Sequence, residues 1–210
     1  MTTESRGAKG RRAPAPHERQ RDPERTKARI LEAATAEFAA KGFAGARVSE
    51  IAARAGVNQQ LIAYYFDSKE GLHREMGRRW RAYEAQAIPD DMPFAETIKQ
   101  YARASVHHGG RLLAWEGLAD SGEDDEEEAQ ERTARLRHEV EVLRERQRAG
   151  ELDDSLDPAA LHLILTSAAN ALAVYPHLAR GLFGADARSP ELVEHYAEQL
   201  ARIVGRLSAP

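Results

Sequence analysis

The chain has 210 residues, of which 42% are hydrophobic and 30% charged, with 30 Lys and Arg against 34 Asp and Glu and a net charge of −4. It contains no cysteine, which excludes disulfides and thiol chemistry, and no apolar run reaches the ~18 residues of a membrane span. The N-terminus also lacks the apolar core of a signal peptide, so we expect a cytoplasmic protein. Abundant Ala, Leu, Arg and Glu without β-branched alternation favour an all-α chain.

Basic charge is concentrated near the N-terminus. Residues 1–75 carry 14 Lys and Arg against 10 Asp and Glu, a net of +4, which leaves a net of −8 for residues 76–210. The first 22 residues combine arginines with Pro and Gly and have little apolar surface, which predicts a disordered basic arm over residues 1–22. Such an arm can follow DNA phosphates or enter a minor groove, or it can serve only as a solubilising tail.

The first helix is predicted from residue 25, where Ile30, Leu31, Ala34 and Phe38 share one face. Lys41-Gly42 ends it with a cation near the last carbonyls and a glycine beyond them.

Two short amphipathic helices around a glycine turn follow at once. Ser49 is a predicted N-cap of the first, and Gly56 suits the left-handed residue after it. Asn58 caps the second helix, which runs to about Phe66. Asp67-Ser68-Lys69-Glu70 then provides a new N-cap with an acid in the first turn of the next helix. This pattern is a helix-turn-helix whose second helix can lie in the DNA major groove, although a helical hairpin of this kind can also be purely structural.

Three sequence blocks point to one family. The blocks are K-x-x-I-L-x-A-A at 27–34 with Phe38 and K-G-F, I-A-x-x-A-G-V at 51–57, and Y-Y-F-x-S-K-E-x-L at 64–72. Their order and spacing resemble the TetR (tetracycline-repressor-like) family of bacterial regulators. The resemblance implies an all-α chain of about nine helices. A helix-turn-helix DNA-binding head (23–68) would be joined by a long fourth helix to a C-terminal effector-binding and dimerisation domain (69–210).

The predicted DNA contacts lie on the second helix of the motif and beside it. Gln59 and Gln60 carry amides that can pair with adenine, and Leu61 and Ala63 can touch thymine methyls. The remaining members of the set, which can reach phosphates or base edges, are Arg47, Ser49, Asn58, Tyr64, Tyr65 and Lys69.

The family resemblance bears on several of these positions. It implies that Tyr64, Tyr65 and Lys69 meet phosphates, and Lys69 also stands at a helix N-terminus, which favours anions. Tyr65 can instead pack against the first helix. Family members often have tyrosine where this chain has Ala63, which puts the operator sequence in doubt.

The rest of the chain predicts further helices with clear boundaries. Helix four should end near Ala87, helix five should cover Pro93 to His108, and Gly109-Gly110 should break the chain before a short helix. The acidic run at 121–128 is either a solvated face or an attractor of a cationic effector. Gly150 should end the next helix, and Asp157-Pro158 and Ser189 should start the last two.

The last two helices predict a dimer. The first is apolar on all sides with a small-residue middle, and the second carries an apolar stripe, so two copies can form a four-helix interface. The predicted interface residues are Ala168, Ala171, Leu172, Leu192, Tyr196, Leu200, Ile203 and Val204. Such a dimer would set two recognition helices on a palindromic DNA site.

The remaining features concern small molecules. The candidate lining of an effector pocket is Trp80, Tyr83, Tyr101, His108 and Trp115. No catalytic motif is evident and the histidines are scattered, so we predict no enzyme, cofactor or metal. The favoured function is a homodimeric repressor that an unidentified small-molecule effector releases from double-stranded operator DNA, without a membrane. The alternative is a helical dimeric protein-interaction module with a vestigial DNA-binding head.

Overall fold

A computed structural model describes residues 16–89, 91–119 and 126–207, with all side chains except those of 16–22, 85, 107, 108 and 126–128. Over these residues the chain forms ten α-helices and no strand. They are α1 Pro16–Gly45, α2 Val48–Ala55, α3 Gln59–Phe66, α4 Lys69–Ala87, α5 Phe94–Ala104, α6 Gly110–Ala119, α7 Glu126–Arg148, α8 Pro158–Val174, α9 Pro176–Phe183 and α10 Pro190–Val204.

The chain separates into a head and a body with distinct cores. Helices α1 to α3 and the start of α4 bury one cluster that includes Ile30, Phe38, Ile51, Ile62 and Leu72. Two further clusters lie among α5, α7, α8, α9 and α10. In the described part of the chain no single helix is long and apolar enough to cross a membrane. Helices α8 and α9 meet that test only as a pair, which is bent by 78°.

Helix α1 holds α2 at both ends. At the start of α2, the carboxylate of Glu37 accepts a hydrogen bond from the backbone N–H of Arg47. At its other end, the guanidinium of Arg29 donates to the carbonyl oxygens of Ala55 and Gly56. A carboxylate at the N-terminus and a cation at the C-terminus both suit the helix dipole.

The predicted cap at Ser49 is wrong. The cap lies two residues earlier: helix α2 begins at Val48, and Arg47 occupies the N-cap position without a side-chain hydrogen bond. Because Glu37 reaches this end of α2 from α1, no local cap is required.

The predicted turn and the entry into α4 have the expected geometry. Gly56 is left-handed, with φ 62° and ψ 41°, and the N–H of Val57 donates to Ala52 O at 3.0 Å. Asn58 caps α3 by accepting from the N–H of Gln60 at 2.9 Å, and Ser68 caps α4 by accepting from the N–H of Gly71 at 3.1 Å.

Gly109-Gly110 does not break the chain as expected. Helix α5 continues through a π-helical turn, Ser105–Gly109, directly into α6. A Cβ on Gly110 would lie 2.6 Å from Cβ of Ala173, so the glycine allows α6 to approach α8 closely. The π-helical turn is fixed to the same helix, since the Ser105 hydroxyl lies 2.8 Å from Ala169 O.

The C-terminal helices pack differently from the prediction. The chain breaks at Tyr175, and Pro176 starts a separate helix, α9. Helix α8 is not buried on all sides, because Leu163 and Ile164 are 68% and 63% exposed. Its cap at Asp157 and the cap of α10 at Ser189 are as expected.

The N-terminal arm is only partly within the described chain. Residues 1–15 lie outside it, whereas 16–22, also predicted to be disordered, form the first turns of α1. This segment is rich in Glu, Gln and Arg, which favour helix. The acidic run at 121–128 falls on residues 121–125, which are outside the description, and on 126–128, where only the helical backbone is described.

We expect Glu37→Gln to lower the free energy of unfolding by about 1.5–3 kcal/mol at neutral pH, because a charge-assisted hydrogen-bond system in the core is lost. Glu37 is only 2% exposed, and a 2.7 Å hydrogen bond from Lys41 is the main reason that its pKa is lowered. A lowered pKa means that this stability is present above the unfolded-state value, near 4.5, and is lost as the pH falls through the folded-state value.

Chemical denaturation of wild type and variant across this pH range measures the effect. The matched control is Glu24→Gln, in the same helix but exposed and paired with Lys27. A Glu37→Gln variant as stable as the control at neutral pH would contradict the assignment.

Candidate nucleic-acid interface and ligand cavity

Helix α3 presents a polar N-terminal end to solvent. Gln59 and Gln60 are exposed, whereas Ile62 and Phe66 are buried in the head core. Tyr64 is 79% exposed, the most open aromatic residue of the head. These side chains can therefore reach a partner without disturbing the core.

Other predicted contact residues have varied surroundings. Arg47, Ser49 and Ala63 are exposed, and Leu61 is half-buried. The Asn58 oxygen is occupied by its cap hydrogen bond, which leaves only its amide nitrogen to reach outward.

Two lysines lie against aromatic rings of the head. The Lys27 ammonium is 5.6 Å from the ring centre of Tyr65, and Tyr65 packs partly against the head core, as the alternative interpretation of this residue held. The Lys69 ammonium is 4.6 Å from the ring centre of Phe43, so this side chain is half-buried rather than fully exposed. Sequence reasoning missed Lys27 and Phe43, because only the packing of α1 brings them to this surface.

The body encloses a cavity of about 650 Å³. Its walls come from α1, α4, α5, α6, α7 and α8, and they include three of the predicted residues: Trp80, Tyr83 and Tyr101. The His108 side chain lies outside the described part of the chain. Trp115 does not belong to the lining: its indole N–H donates to Ala39 O at 3.3 Å, against the head.

None of the glutamates in the cavity wall was predicted, and two of them, Glu84 and Glu139, act on each other. Burial is the main cause that raises the pKa of Glu84, which accepts a hydrogen bond from Tyr101 and is repelled by Glu139. Glu139 has basic neighbours, His162 at 3.2 Å and Arg135 at 3.8 Å. Glu84 stands four residues after Trp80, on the same side of α4, and this spacing was the available signal.

The cavity lies next to the junction between body and head. His73 of α4 lines the cavity and also contacts the rings of Phe38 and Phe43, with ring centres 5.3 and 5.2 Å away. Trp115 of α6 covers Gly42, whose added Cβ would lie 2.9 Å from the indole ring. Gly42 has φ 69°, which also favours glycine there.

The structure divides the predicted dimer residues into two groups. Ile203 is 58% exposed, and Ala168, Ala171 and Tyr196 are half-buried. The other four are buried in the core of the same chain: Leu172, Leu192, Leu200 and Val204. The inference that the α10 stripe needs a second copy is therefore wrong, since α5 and α8 already cover most of it.

Comparison with known proteins identifies the family. The family profile described as "Bacterial regulatory proteins, tetR family" matches residues 30–76, and the profile described as "Tetracyclin repressor-like, C-terminal domain" matches residues 93–204. The chain belongs to the TetR family. It is thus a DNA-binding transcriptional regulator, and the predicted all-α arrangement of a helix-turn-helix head and a helical C-terminal domain is confirmed.

Individual relatives match over nearly their whole length. The HTH-type transcriptional repressor SCO4008 of Streptomyces coelicolor is 36% identical over 191 residues, which are 89% of this chain and 98% of that protein. The crystal structure of SCO4942 from the same species has 28% identity and a TM-score of 0.66, over 87% of this chain and 98% of that one. The ketosteroid transcriptional regulator KstR2 of Mycobacterium tuberculosis shares the fold, with a TM-score of 0.64 at 19% identity over 88% and 95% of the two chains.

We expect Gln60→Ala and Lys69→Ala to weaken DNA binding in different ways. Gln60 is an exposed amide near the N-terminus of α3, so its loss should cost about 1–3 kcal/mol on the best site and relax the preference at one base pair per half-site. Lys69 should instead contact a phosphate, so its loss should weaken all sequences alike and reduce the salt dependence by about one ion per contact.

Selection from random DNA and binding curves against salt distinguish the two effects. Lys99→Ala, a charge change in the body, is the matched control and should leave both unchanged. An unaltered sequence preference for Gln60→Ala, together with new preferred bases for Lys69→Ala, would mean that the head docks differently.

Proposed function

We propose that the protein is a homodimeric repressor of a palindromic operator and that a small molecule in the body cavity releases it from DNA. The observation that carries this proposal is the position of α4. Its first turn belongs to the head, through the Ser68 cap and Lys69 over Phe43, while Trp80 and Glu84 further along line the cavity. A ligand that moves this wall would move the attachment of the head.

A second connection runs through α6. Leu112 of α6 lines the cavity and also packs against the head core, and Trp115 lies on Gly42 of α1. Both connections end at the C-terminal part of α1. An effector that binds one arrangement of α4 and α6 better than another would shift the population of head orientations by its difference in affinity.

Support for the homodimer comes from an exposed face of α8. Leu163, Ile164, Ser167 and Ala171 recur at helical spacing along it, and the two large residues among them are mostly exposed. An apolar helix face of this kind is typical of a protein–protein interface. Helix α10 would add its exposed residue Ile203 to this contact. The proposed contact therefore pairs α8 and α10 with the same two helices of a second copy, related by two-fold symmetry.

The function as a repressor has a direct test. The full chain is mixed with fragmented DNA of the bacterium that carries the gene, bound fragments are sequenced, and the protected site is mapped. We expect one palindromic site with two protected half-sites, bound in a salt-dependent manner. In the cell, the protein would act in the bacterial cytoplasm. No DNA binding, or binding without sequence preference, would favour the protein-interaction module instead.

We expect Ile164→Glu to convert the dimer into a monomer, because it places a charge in the middle of the proposed contact. Light scattering should fall from twice the 23.3 kDa chain mass to the single mass. Affinity for the two-half-site operator should fall by about a hundredfold, since each head then binds alone.

The matched control is Leu118→Glu, which places the same charge at an exposed apolar residue of α6. It should keep the mass and the affinity of the wild type. A wild-type chain that is monomeric at micromolar concentration would rule out the proposed interface.

A further inference from the structure

The cavity wall carries charged side chains of both signs. Its lining includes four glutamates and four arginines. Two of these arginines pair with carboxylates outside the lining: Arg79 with Glu75 at 3.0 Å and Arg146 with Glu151 at 2.8 Å. These two guanidiniums are thus engaged by carboxylates outside the cavity.

Glu84 is one of the glutamates of this wall that form no ion pair among the described residues. In the described part of the chain, no Lys, Arg or His lies within ion-pair distance of its carboxylate, which accepts a hydrogen bond from the neutral Tyr101 hydroxyl of α5. Arg81 of α4 and Arg135 of α7 act on it only at longer range, and Glu139 of α7 repels it. Burial and this repulsion raise its pKa, so a cation beside it would relieve an unfavourable charge.

Aromatic rings lie beside this carboxylate. Trp80 precedes Glu84 by one helical turn, and the ring centres of Trp80 and Tyr83 are 5.7 Å apart. The faces of such rings attract cations, most strongly where water is excluded. The cavity already contains one example, since the Arg146 guanidinium lies 5.3 Å from the ring centre of Phe94.

We propose that the cavity binds a lipophilic organic cation whose charge pairs with Glu84 and whose apolar body packs against Trp80 and Tyr83. The volume of about 650 Å³ is in the range of sites for drug-sized molecules. An anion of the same shape would be repelled by Glu84 and by Glu139. This inference rests on the proposed function, because it assigns a chemical class to the effector of that same cavity.

Two ions of nearly equal shape and opposite charge test the proposal. Tetraphenylphosphonium and tetraphenylborate are titrated into the full chain without DNA, with binding measured by calorimetry. We expect the wild type to prefer the phosphonium by more than about tenfold, and Glu84→Gln to weaken phosphonium binding by about tenfold or more without weakening the borate. Glu145→Gln, an exposed change on α7 outside the lining, is the matched control and should bind as the wild type does.

Three results would overturn the proposal: no phosphonium binding by the wild type, equal affinity for the two ions, or unchanged phosphonium affinity in Glu84→Gln. Because burial raises the pKa of Glu84, its ionised form costs stability, and the Gln variant should melt no lower than the wild type at neutral pH. If it melts lower, the comparison of the two ions on the wild type alone decides.

Operator release is measured separately, so that the two proposals can fail separately. Phosphonium that binds through Glu84 but leaves the operator complex intact would support the cation site and contradict effector-controlled release. Release by phosphonium that is equally effective on wild type and Glu84→Gln would support release and overturn the role of Glu84.

Discussion

The hydrogen bonds that attach both ends of α2 to α1 are the constraint on which the DNA-binding surface depends. Helices α2 and α3 have only eight residues each, and isolated helices of this length are marginal in water. Glu37 and Arg29 fix the two ends of α2 from α1, and Gly56 serves both the turn and this contact: a Cβ there would lie 2.8 Å from the Arg29 guanidinium. The direction of α3 follows from that of α2, because a three-residue link, 56–58, leaves little freedom.

In the proposed mechanism, a head fixed in this way would move as one piece, and its orientation would depend on its attachments. The join to α4 is tight, because a Cβ on Gly71 would lie 2.0 Å from Phe66 O. A displacement at the start of α4 must therefore be transmitted to α3 rather than absorbed by the link. His73 and Trp115 bring α4 and α6 onto the same end of α1, so the two walls of the cavity act on one site of the head.

Local signals in the sequence predicted most helix boundaries, and contacts between distant segments account for the failures. The caps at Asn58, Ser68, Asp157 and Ser189 were predictable because each bond spans two or three residues. The start of α2 was not, because its hydrogen-bond acceptor is a side chain ten residues earlier in α1. Gly110 resembled a chain break, but it serves the approach of α8, which no local pattern reveals.

Periodicity likewise predicted which faces are apolar but not what covers them. Leu200 and Val204 are covered by their own chain, whereas Ile164 of the helix expected to be buried is exposed. Glu84 is one of 34 acidic residues, and only its surroundings distinguish it. An open cavity and a carboxylate kept from water both cost stability, and both are located on α4. A ligand that fills the cavity and pairs with Glu84 would remove these two costs and stabilise the liganded arrangement of α4. Because the head is attached to α4, ligand binding would then favour one orientation of the head.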